Sequence, residues 1–87
     1  MKNTKNEKLI CWNRKNENGT VTEKYHCGNS VIGVSRFKNL VTDENCVVIS
    51  FERGRLSRNS KVEIARRLGA DLCACSIEDY AIYGKAV

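Results

Sequence analysis

Six bases crowd the segment from 53 to 67, namely Arg53, Arg55, Arg58, Lys61, Arg66 and Arg67, against one acid, Glu63. The first four flank Ser60, whose spacing to Glu63 is that of a capping box. The serine hydroxyl accepts from the Glu63 amide, and the carboxylate returns to the Ser60 amide. A helix starting there sets unpaired amides and the positive end of its dipole beside four cations. Gly54, between two arginines, lets backbone amides turn inward toward an oxyanion. The chemistry this predicts is capture of a phosphate or a carboxylate by Arg53, Arg55, Arg58, Lys61, Arg66 and Arg67. It is not a nucleotide-binding phosphate loop, because the glycine spacing and the Gly-Lys-Ser/Thr ending are missing.

A second set of side chains suits a metal. With Asn18 and Gly19 as the two residues of a tight turn, Cys11 falls directly opposite His26, while Cys73 and Cys75 share one face of a strand. Three thiolates and an imidazole complete a tetrahedral zinc set, so Cys11, His26, Cys73 and Cys75 define an alternative, zinc-stabilised reading. Against it, the chain has no Cys-x-x-Cys knuckle, and a free cysteine is ordinarily a small apolar filler. Core thiols are the default, with no metal and no cofactor expected.

Catalysis has less support. His26 is the one histidine, and Cys27 beside it on a strand points to the opposite face. A Cys11–His26 pair would still need an oxyanion site and a pocket. The carboxylates are scattered apart from Asp43-Glu44 and Glu78-Asp79. The chain is read as non-enzymatic.

Ile64, Ala65, Leu68 and Gly69 occupy positions at which a helix-turn-helix places an apolar residue, a small residue, a core leucine and the turn glycine. A recognition helix must then offer arginine, lysine, asparagine or glutamine to bases and phosphates. The segment Leu72 to Asp79 offers none and carries Glu78 and Asp79 instead. Duplex reading by that motif is not expected.

The whole chain has 87 residues and a net charge of +5, enough for one small domain with one core. Its charge is uneven. Residues 1–15 carry five bases and one acid, 16–52 three and five, 53–67 six and one, and 68–87 one and three. Two basic patches argue for an anionic partner rather than for any fold. The longest apolar run, CVVISF, is far too short for a membrane span or a signal peptide. Together with an odd number of cysteines, this suggests a cytoplasmic protein with reduced thiols and no membrane partner.

Several elements must position these groups. Residues 1–7 read as a flexible N-terminus and 8–87 as a single domain. Asn18-Gly19 predicts a type I′ hairpin in which paired residue numbers sum to 37, so that Arg14 faces Glu23, Trp12 faces Tyr25 and Ile10 faces Cys27 on the core side. Val31–Val34 and Cys46–Phe51 read as third and fourth strands, and Lys61–Leu68 as a helix closed by Gly69. Leu72–Cys75 suits a short strand. Ser76, with two acids after it and Gly84 beyond, favours a second helix over a continuing strand.

The expected fold is α+β: a small antiparallel sheet of four to five strands, one main helix packed on a face, and a short C-terminal helix or strand. The expected role is a small regulatory binding module that engages nucleic acid, or a nucleic-acid-handling protein complex, through its basic surface. The rival is an inhibitor or adaptor that docks on a protein and acts by occupancy, in the manner of virus-encoded counter-defence (anti-CRISPR-like) proteins. A homodimer through an exposed edge strand is a further partner the sequence admits.

Overall fold

The computed structural model describes residues 8–87, and the flexible terminus expected at 1–7 lies outside the described residues. Six strands form one antiparallel sheet: β1 (Ile10–Glu17), β2 (Thr20–Cys27), β3 (Ser30–Asn39), β4 (Glu44–Arg53), β5 (Ala70–Ile77) and β6 (Ala81–Ala86). One helix, α1 (Arg58–Arg67), joins β4 to β5. In space the strands run β1-β2-β3-β4-β6-β5. This overturns the expected architecture of four or five strands under a main helix. Among the described residues the sheet dominates, and the one helix is only ten residues long.

The second helix expected from Ser76 does not form. Ser76 lies on β5 opposite Tyr83, and Gly84 lies inside β6 rather than at a helix end. The local capping pattern is outweighed by burial: Ile82 is fully buried, facing Ile49 on one side and Ile77 on the other. β-branched residues opposed in this way stabilise a strand pair more than one serine cap stabilises an isolated turn. Glu78 and Asp79 serve the connecting turn, where the Glu78 amide donates to the Ala81 carbonyl at 2.9 Å.

The Asn18-Gly19 turn has positive φ at both residues, 53° and 84°, and the expected register holds from Glu17↔Thr20 through Asn13↔Lys24. It then slips. An extra residue at Trp12 leaves Cys11 opposite Tyr25 and Ile10 opposite His26. From there on, neither the Trp12–Tyr25 nor the Cys11–His26 pairing exists. The β2 half of the expected core face is correct, since Glu23 and Cys27 are buried and Tyr25 packs on the core; every residue of β1 is exposed.

The core is one cluster in which Ile32, Val34, Val47, Ile49 and Ile82 from the sheet meet Ile64, Ala65 and Leu68 from the helix and its C-cap. Across the strands, Val34 faces Ile49 and Ile49 faces Ile82, so the apolar residues form a row on one side. The helix starts one turn earlier than expected. Its cap is Ser57, whose hydroxyl accepts from the Ser60 amide at 3.2 Å; Ser60 is inside the helix and buried, and Glu63 turns to Arg66 instead. Both serines have capping chemistry, and the earlier one gains three more helical residues. Ser57→Ala is expected to cost about 1 kcal/mol, read from the urea midpoint, whereas capping at Ser60 would leave that midpoint unmoved.

Gly69 follows the helix at φ 99°, as expected, and the Arg36 guanidinium donates to the Leu68 carbonyl at 2.6 Å. Sheet and helix C-terminus are thereby tied by a charged hydrogen bond. No helix among the described residues is long and apolar enough to cross a membrane.

Candidate functional site

The six basic residues do not act as one group. Arg53 ends β4, Arg55 lies in the connection, and Arg58 opens α1, all three exposed. Lys61 is drawn back onto its own fold: its ammonium donates to the Asp79 carbonyl at 2.6 Å and lies 5.6 Å from the Phe51 ring centre. Arg66 pairs with Glu63, and Arg66 and Arg67 stand in the last helical turn, about 12 Å along the axis from Arg58.

Most other cations are also engaged. Arg14 and Arg36 reach Glu23 at 3.3 and 3.1 Å, Lys38 reaches Asp43 at 3.6 Å, and Lys24 pairs with Glu52. Lys85 contacts Glu44 at 2.9 Å, and its hydrogen bond and charge hold the Glu44 carboxyl below its usual range. Arg53, Arg55 and Arg58 have no ion pair among the described residues, and the first turn of α1 holds no acid. Between the end of β4 and the start of α1, six residues thus carry three exposed guanidinium groups that no ion pair among the described residues neutralises.

Beside Arg53 lies a feature the sequence reading missed. Trp12 stacks on His26 with ring centroids 3.9 Å apart and planes 24° from parallel. The two rings, with Val31, Glu52 and Arg53, line an open cleft of about 360 Å³ on the sheet face opposite the core. Two bulges build it. One places Trp12 outside the hairpin register, and the other, where pairing jumps from Val31↔Arg53 to Ile32↔Phe51, frees Glu52 from the ladder. Bulges re-aim side chains and are concentrated next to sites. The Glu52 carboxylate lies over Gly33, where any side chain would collide with it, and accepts from the Lys24 ammonium at 2.6 Å. No pairing rule marks a bulge in advance, so the continued hairpin count places Trp12 on the core face.

The zinc set is not assembled. Cys11 is on β1 and Cys73 and Cys75 on β5, the opposite edges of the sheet, and no three His, Cys, Asp or Glu side chains converge among the described residues. Burial, and then the charge of Asp71, push the Cys75 thiol above its ordinary value, which disfavours the thiolate that a metal or a nucleophilic step requires. Cys11 faces Tyr25, so the Cys11–His26 couple is lost as well. Helix-turn-helix reading fails for a simpler reason: α1 is followed by a strand.

What converges, then, is a half-exposed aromatic stack and an adjoining arginine, followed along the chain by Arg55 in the connection and Arg58 at the start of α1. No family model, curated protein or solved structure matches the chain, so these side chains are the only guide to what it binds.

Proposed function

We propose that this chain is a non-enzymatic binding module that engages nucleic acid through the basic surface at Arg53, Arg55 and Arg58, and acts by occupancy in a cytoplasmic setting. One observation carries the reading: these three arginines have no carboxylate partner among the described residues, while Arg14, Lys24, Arg36, Lys38, Arg66 and Lys85 each have one. Guanidinium groups left unneutralised beside a helix N-terminus suit the evenly spaced charges of a phosphodiester backbone.

A gel shift tests it. Three phosphate contacts predict a loss of affinity of roughly 20-fold on a single strand and 40-fold on a duplex between about 50 and 200 mM salt, and replacing Arg53, Arg55 and Arg58 with alanine should remove most of both the affinity and the salt slope. A complex indifferent to salt, or one that the triple variant still forms, contradicts the proposal.

One other observation favours the rival, docking on a protein. Leu40 and Val41, at the tip of the β3–β4 hairpin, are 90% and 93% exposed, with the partly exposed Phe37 nearby. Failure to shift any nucleic acid, with co-purification of a defined protein complex that is lost on changing Leu40 and Val41 to serine, would favour that reading.

A further inference from the structure

The cleft beside Arg53 specifies more than charge. We propose that Trp12, His26 and Arg53 form a nucleotide subsite that takes one base and its phosphate from a single-stranded nucleic acid; this rests on the nucleic-acid reading above and narrows it to the unpaired strand.

Four observations converge on this ligand. First, the indole is 48% exposed although it is stacked on His26, and both rings line the cleft, so the stack presents aromatic surface to a ligand there. A base added to an existing stack is the usual source of sequence-tolerant affinity for single strands. A duplex keeps its bases stacked on one another and offers no free ring. Second, Arg53 lines the same cleft and has no carboxylate partner among the described residues, which leaves its guanidinium available to the phosphate of the stacked nucleotide.

Third, the cleft contains an acceptor. Glu52 lines it, with its carboxylate held over Gly33 by the Lys24 ammonium and with lone pairs left to accept further hydrogen bonds. A carboxylate repels a bare phosphate but accepts from the amino and imino hydrogens on a base edge, so the combination fits a nucleotide better than an inorganic anion. Fourth, the volume of about 360 Å³ lies at the lower end of small-ligand clefts and suits one nucleotide rather than several. Arg55 in the connection after Arg53 and Arg58 at the start of α1 follow within five residues, so further cations are at hand for a strand running on from the bound nucleotide.

Trp12 is the only tryptophan, so its fluorescence reports this cleft alone. The probes are a short mixed-sequence single-stranded oligonucleotide, an abasic phosphodiester of equal length, the corresponding duplex, and nucleoside monophosphates. The single strand should quench Trp12 and bind roughly tenfold or more tightly than the abasic strand or the duplex. By anisotropy of a labelled strand, Trp12→Ala should weaken binding roughly 5- to 150-fold while Trp12→Phe, which keeps an aromatic ring, stays near the parent. Trp12 lies on a fully exposed edge strand, so circular dichroism of both variants should match the parent.

Equal affinity for abasic and base-bearing strands overturns the subsite. So does a Trp12→Ala variant that binds like the parent; if the triple arginine variant still fails to bind, the basic-surface reading survives on its own. A monophosphate that gives the full quench at the affinity of the strand assigns the cleft to a free nucleotide and overturns the strand. Absence of binding to every probe overturns both readings together.

Discussion

Glu23→Ala should cost about 3–5 kcal/mol, a large part of the total stability of a domain this small. Glu23 is only 8% exposed, yet it is charged, and it accepts from the Tyr25 hydroxyl at 3.0 Å and from the Arg36 Nε at 3.1 Å. Removing it leaves the two-thirds-buried Arg36 with one acceptor, the Leu68 carbonyl, and leaves the Tyr25 hydroxyl without its partner. Burial, and then the bond to Glu23, already push the Tyr25 phenol above its ordinary value. A two-thirds-buried cation left without its counter-charge, beside an unpaired phenol, is the costly outcome; the attraction of the intact pair is the smaller quantity. Arg14, 67% exposed, reaches the same carboxylate at 3.3 Å, and its loss should cost under about 1 kcal/mol because solvent screens it. Urea unfolding of Glu23→Ala and Arg14→Ala makes the comparison, and equal shifts in midpoint would refute the account.

Gly84→Ala should be nearly as damaging, at about 2–4 kcal/mol. Gly84 sits in β6 between Val47 of β4 and Cys75 of β5, at φ 150°, where a side chain is rarely tolerated. A methyl group there would lie 2.4 Å from the Ala74 carbonyl oxygen and 2.7 Å from the Cys75 Cα. These are backbone atoms, which cannot swing aside as a flexible side chain would. The edge strand β5 must therefore shift or detach. A lowered melting temperature should be accompanied by faster reaction of Cys75 with a thiol reagent, since its Sγ is now turned to the Lys85 carbonyl at 3.3 Å. A variant with unchanged melting and unchanged labelling would show that the strands adjust freely.

The parts of this molecule legible in the sequence are those set by neighbours along the chain. Asn18-Gly19 fixes a turn, and the turn fixes the register for as long as each strand advances one residue per pair. At Trp12 that condition fails, and every inference resting on the continued count fails with it: the aromatic pair, the Cys11–His26 couple and the zinc set. Ser57 and Ser60 offer the same hydroxyl to a helix start, and only the finished packing decides between them. Ser76, Glu78 and Gly84 satisfy a helix locally, whereas Ile77 and Ile82 are satisfied only by partners on other strands, and the distant contacts prevail. The candidate site divides along the same line. Arg53, Arg55 and Arg58 were visible because they are close in sequence. Trp12 and His26 were not, because they lie on β1 and β2 and reach Arg53 only across the sheet, and Glu52, though next to Arg53 in sequence, turns toward that face only through the β3–β4 bulge.

β3 and β4 also act as a spacer. The eight steps from Val31 to Asn39 span about 27 Å, within a longest dimension of 46 Å. The cleft and its arginines stand at one end of that rod, and the bare Leu40 and Val41 at the other. Occupants of the two ends need not touch, so a strand held at one end leaves the opposite tip open to contact with another molecule.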